Sequence, residues 1–221
     1  EAASLLSLGR TAAYEAARCF TDFAESAQPG RAIGEVLMAH VLLAKGEPAA
    51  AAALLEPAAK TLDRTGYSWG PLALSYLTTA LAMQGEIAAS AMALSRAQSR
   101  HGTKSALFAP ELGIARAWRL FTIGDWPAAV AATRGAARMA ARGGQYAIAV
   151  RVWHESARLG DRRAADGIAC QALRARATRG LWIPPGNGRF AIHSHTPGMK
   201  RRTKYCEPKI ATNSTVAGAS G

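Results

Sequence analysis

The sequence predicts an all-α protein: a right-handed α-solenoid of four to five helical hairpins with a period of about 36–39 residues. Three observations lead there. A Gly followed by an acidic residue recurs at Gly46-Glu47, Gly85-Glu86, Gly124-Asp125 and Gly160-Asp161, and Gly9-Arg10 is a fifth copy without the acid; the spacings are 37, 39, 39 and 36. Small residues stand at fixed offsets from each Gly: Ala13, Ala50, Ala89, Ala128 and Ala164 four positions after it, and Thr21, Ala58, Ala97, Ala136 and Ala172 twelve after it. Seven positions before it are Ala2, Ala39, Thr78 and Ala117, with Trp153 in the last copy. Finally, no alternating apolar–polar run is long enough to read as a strand. Ala fills 51 of the 221 positions, so one match means little and the five copies in register decide.

Each unit reads as a helix, a tight turn and a second helix. The Gly permits the left-handed backbone that ends the first helix. The acid after it is expected in the first turn of the second helix, facing the positive end of the helix dipole. Along the chain, Glu1 falls inside a first helix and the second helix of that unit follows Gly9. The next unit has the apolar run Val36-Leu37-Met38-Ala39-His40-Val41-Leu42-Leu43, then Pro48 where its second helix starts, a position that needs no backbone N–H. Pro57 falls eleven positions after Gly46, inside that helix, and predicts either a kink or an early end. Pro71 and Pro110, each 14 residues before a Gly, mark the starts of two further first helices, and Pro127 marks a second helix. The small residues at fixed offsets are expected to let paired helices approach closely.

The pattern Gly-acidic-x-x-x-small, with Ala at plus twelve and a small residue at minus seven, resembles the tetratricopeptide repeat. Its period exceeds the standard 34 residues, and the first-helix Trp and Tyr of that motif are mostly absent. The stretches "LALSYLTTALAMQGEIAASAMALSRAQSRHG" and "ELGIARAWRLFTIGDWPAAVAATRGAARMAARGGQYAIAVRVWHESARLGDRRAA" resemble more specifically the helical-repeat half of large LuxR-type, maltose-regulator-like transcriptional regulators, whose actinobacterial members are similarly rich in Ala and Arg. The resemblance spans about residues 1–172. It implies a non-catalytic sensor or oligomerisation segment lying between a nucleotide-binding module and a helix-turn-helix. Neither module is visible: Gly102-Thr103-Lys104-Ser105 lacks the first Gly and the Gly-Lys step of a phosphate loop. The chain therefore reads as the sensor segment alone, a fragment of a regulator. The alternative from another class is a free-standing adaptor that binds peptides or proteins.

Charge divides the chain. The net charge is +12, yet residues 1–170 carry 18 Lys/Arg against 14 Asp/Glu, and residues 171–221 carry 9 against 1. After Ala172 the repeat register is lost, and beyond Leu181 there is no further Leu. The expected division is a helical-repeat solenoid over 1–176 and a basic, disordered tail over 177–221, either natural or read out of frame. Cut at both ends, such a solenoid exposes apolar faces and is expected to self-associate. The tail run Lys200-Arg201-Arg202-Thr203-Lys204 supports non-specific phosphate attraction at most. Three scattered cysteines, Cys19, Cys170 and Cys206, suit neither a disulfide scaffold nor a zinc site and point to a cytoplasmic protein. No apolar run is long enough for a membrane span.

No constellation carries catalytic chemistry. His193-x-His195 lacks a third metal ligand, and His154-Glu155 has Arg158 where a zinc-protease helix needs a second His. Neither a nucleophile elbow nor a poised carboxylate pair occurs, so no catalytic residue, cofactor or metal is assigned. The candidate site is the groove lined by first helices. Six positions before each Gly stand His40, Thr79, Trp118 and His154, and Tyr76 and Glu111 are set to join them. A polar and aromatic stripe of this kind suits a protein partner or a small effector. The plainer alternative is a set of ordinary, partly buried helix residues.

Overall fold

The structure, a computed structural model, describes residues 12–22, 29–66 and 68–179. Among them every regular element is helical. The order is α1 (Ala13–Asp22), α2 (Pro29–Lys45), α3 (Pro48–Arg64), α4 (Gly70–Met83), α5 (Ile87–Arg100), a 3-10 helix (Thr103–Phe108), α6 (Ala109–Thr122), α7 (Trp126–Arg142), α8 (Tyr146–Arg158) and α9 (Ala164–Arg179). Four hairpins follow one another, α2–α3, α4–α5, α6–α7 and α8–α9, and α1 is the second helix of the unit before them. The first helix expected around Glu1 and the tail from residue 180 onward, with its His193, His195 and Lys200–Lys204, lie outside the described residues. α9 itself runs on to Arg179, past the boundary expected at 176.

The turns explain the repeat. Gly46, Gly85, Gly124 and Gly160 all have φ between +81° and +89°. In each, the Gly N–H donates to the carbonyl three residues back and the following acidic residue's N–H to the carbonyl five residues back, as in Gly85 to Ala82 and Glu86 to Leu81. This pair of bonds satisfies carbonyls that the helix end would otherwise leave open. Gly144 closes α7 against α8 in the same way.

Two details differ from expectation. The acid after Gly46, Gly85 and Gly124 is the N-cap rather than a first-turn residue, Asp161 stands three residues before its helix, and of the three caps only the short Asp125 reaches back to the backbone. Asp125 Oδ1 accepts from the Ala128 N–H at 3.1 Å, whereas Glu47 and Glu86 make no such bond because their extra methylene overshoots. The other detail concerns the Ala four positions after each Gly. Ala13 and Ala164 are buried, but Ala50, Ala89 and Ala128 are not. There the residue one further on, Ala51, Ser90 or Ala129, is fully buried. A rotation of one residue about the helix, roughly 100°, moves the contact from one to the next.

The positions at minus seven and plus twelve pack as expected except in the last unit, where Trp153 and Ala172 are only half-buried. Ala39, Thr78 and Ala117 are buried on first helices, and Thr21, Ala58, Ala97 and Ala136 on second helices. Close approach is tight at Gly113, where an added Cβ would lie 2.5 Å from Ala136 Cβ. The core around α2–α5 is fuller, with Leu55, Leu62 and Leu74 wholly buried. Burying each contributes about 1.5–3 kcal/mol. α4 is buried on nearly every side, because α2, α3, α5 and α6 all pack against it. Pro57 neither ends nor shortens α3. It lies on the exposed face, as does Ala53 four residues earlier, whose carbonyl loses its helical donor but stays open to water.

Candidate functional site

First helices α2, α4, α6 and α8 together line a cavity of about 440 Å³. Its walls include five of the six residues expected there: His40, Tyr76, Thr79, Glu111 and His154. Tyr76, Thr79 and Glu111 form the buried floor, and His154 stands exposed at the rim. Trp118 does not line the cavity. It is buried behind the wall, where its Nε1–H donates to Glu155 Oε2 at 2.9 Å and the Arg158 guanidinium covers its ring at 5.1 Å. Trp118 thus positions two residues that do face the cavity.

Two polar pairs at the floor together draw one member from each hairpin. His40 on α2 stacks on Tyr76 of α4, with ring centroids 4.6 Å apart, and the Tyr76 hydroxyl is 3.2 Å from His40 Nδ1. Glu111 on α6 accepts a hydrogen bond from the Arg151 guanidinium on α8 through Oε1. The other oxygen, Oε2, is buried and has no hydrogen-bond partner. Burial, reinforced by the positive charge of Arg151, holds His40 well below the usual histidine range. Burial also pushes the Tyr76 hydroxyl upward. Glu111 is raised too, because burial outweighs the opposing pull of Arg151. Arg151 keeps its charge: burial opposes it, but Tyr76, Glu111 and Glu155 more than compensate. At neutral pH the floor therefore combines a neutral imidazole, a neutral phenol and the hydrogen-bonded Glu111–Arg151 pair.

Sequence reasoning missed Arg151, Glu155, Arg158 and Lys45, all of which face the cavity. A signal existed for two of them. Arg151 occupies the same offset before its Gly as Tyr76, nine residues, and Arg158 lies one helical turn beyond His154 on the same face. Lys45 carried none, since the matching residues of later repeats, Gln84, Ile123 and Leu159, do not line the cavity. Its Nζ lies 5.0 Å from the centre of the Tyr14 ring. Among the described residues no cluster of three or more His, Cys, Asp or Glu is placed to hold a metal ion. None of the described helices is long and apolar enough to cross a membrane.

The class this architecture defines is a helical-repeat protein with a ligand-sized groove on its first helices. Among solved structures, the chain is similar to two crystal structures of the nearly identical TPR-like repeats of a Podosopora anserina protein described as a kinesin light chain. One, carrying a single substitution, is 17% identical over 81% of this chain and 93% of that one, with a TM-score of 0.43. The other is 18% identical over 80% and 92%, also with a TM-score of 0.43. No family model matches the sequence, and no curated protein does.

Proposed function

We propose that the chain is a non-catalytic interaction segment that holds an effector or a protein partner in the groove of its first helices. The observation that carries this is Glu111 Oε2, a buried acceptor without a partner at the floor of a cavity built by all four hairpins. Leaving such a group unpaired costs about 1–3 kcal/mol, and a ligand N–H or O–H would recover it. Because the ligand would touch four hairpins, its binding would favour one curvature of the solenoid over others, the property a sensor needs.

On this reading His154 and Arg158 contact the ligand at the rim, and Trp118 holds Arg158 in place. A thermal-shift screen of short peptides and small metabolites tests it, run on the chain and on the double variant H154A/R158A. Compounds that raise the Tm of the first and not of the second support the groove. If every stabilising compound acts equally on both, the groove is not the site.

The finer reading is the sensor segment of a LuxR-type transcriptional regulator, resting on the residue resemblance over about 1–172. Sequencing the DNA on either side of the coding segment tests it. A phosphate-loop module upstream and a helix-turn-helix downstream, in any frame, support it; their joint absence favours the adaptor.

A further inference from the structure

A second cavity, of about 310 Å³, shares no lining residue with the groove. It is an open depression lined by Arg138 and Arg142 of α7, Trp153 of α8, and Gln171 and Arg174 of α9. α7 carries an arginine at each successive turn, 134, 138 and 142. Arg134 is engaged by Asp161, with Nε 2.7 Å from Oδ2. Arg138 and Arg142 share one helix face and line a cavity in whose wall, among the described residues, no carboxylate stands. The groove differs on this point, since its arginines Arg151 and Arg158 each lie within 4 Å of a glutamate.

Two more features shape the cavity. Gly167 of α9 gives room to the Trp153 indole, since an added Cβ would overlap the ring, so one aromatic surface is fixed in the wall. Gln171 is 8% exposed and its Oε1 is buried without a hydrogen-bond partner. The site therefore offers the N–H donors of Arg138 and Arg142 for an anion, an aromatic surface, and one buried acceptor that requires a donor from the ligand.

We propose that this cavity binds a small phosphate monoester, with the phosphate on Arg138 and Arg142 and its organic part against Trp153. The buried acceptor selects the ligand. A phosphate monoester near pH 6 keeps a proton on about half its molecules and can donate to Gln171 Oε1, whereas sulfate has no proton to give. Among the described residues, the charged side chains lining the site are all arginines, which do not titrate in that range.

The test is calorimetric titration of the full chain with adenosine monophosphate at pH 6 and low salt, with inorganic phosphate and sulfate as comparison ligands. The nucleotide is expected to bind at least tenfold more tightly than sulfate, with inorganic phosphate between them. The surface variant R138A/R142A, with unchanged circular dichroism, is expected to lose at least tenfold in nucleotide affinity, and Q171M to narrow the gap to sulfate. Sulfate binding as tightly as the nucleotide overturns the proposal, as does R138A/R142A binding like the native chain. So does the absence of nucleotide binding.

Discussion

The hydroxyl of Tyr76 lies 3.2 Å from Nδ1 of His40, and the two rings stack with 26° between their planes. The pair joins α2 to α4 across 36 residues, three short of the 39 that separate their turn glycines Gly46 and Gly85. The same stride recurs where Trp118 meets Glu155, 37 residues on, and where Glu111 meets Arg151, 40 residues on. Polar contacts between hairpins are thus tied to the repeat.

Removing the hydroxyl with Y76F leaves His40 Nδ1 without its partner in a buried setting. The expected loss is about 1–2 kcal/mol of folding stability, read from the urea midpoint. Truncation with Y76A also removes the ring stack and leaves a cavity, and is expected to cost about 3–5 kcal/mol.

His40 sets a pH dependence. Its folded pKa lies well below 6.5, so the unfolded chain takes up a proton that the fold refuses. Stability is then expected to fall as pH drops below about 6.5, by up to about 1.4 kcal/mol per pH unit. Glu111 acts with the opposite sign. Its raised carboxyl makes the fold bind more protons above about pH 4.5, so its contribution weakens as pH rises. In H40Q the slope below pH 6.5 is expected to flatten or reverse. An unchanged acid slope in H40Q would assign it elsewhere.

Asp161 anchors the last hairpin. It pairs with Arg134 of α7, accepts from the Ser156 hydroxyl at 2.8 Å, and accepts from the Arg163 N–H at 2.9 Å. The Arg134 hydrogen bond chiefly, helped by those from Ser156 and Arg163, lowers its carboxyl from 3.8 to about 2. That contribution is complete above about pH 4 and lost as pH falls through about 2. D161N is expected to cost about 2–3 kcal/mol at pH 7 and much less at pH 2, measured by urea unfolding at both.

Two glycines are expected to respond in opposite directions. Gly85 has φ +81°, so G85A is strained even though no atom crowds its Cβ, and about 1–2 kcal/mol should be lost. Gly135 lies inside α7, where an added Cβ would have open space, so G135A is expected to gain about 0.5–1 kcal/mol. Thermal melts of the two variants, shifted to opposite sides of the parent, check the pair.

By itself the sequence determined the hairpins. A left-handed Gly, an acid after it, Pro at helix starts and small residues at minus seven and plus twelve are local demands of one helix–turn–helix unit. They read directly from Gly46, Gly85, Gly124 and Gly160. The stripe from His40 to His154 was legible for the same reason, since an offset from a turn fixes a helix face. Tertiary structure alone decided rotation and pairing. It turned the middle second helices by one residue, burying Ala51, Ser90 and Ala129 in place of their neighbours, and it withdrew Trp118 behind the cavity wall. It also set Arg151 against Glu111 and left Glu111 Oε2 without a donor. Those outcomes depend on how four hairpins curve together, a sum of packing contacts between side chains 36–40 residues apart, which no local pattern in the chain encodes.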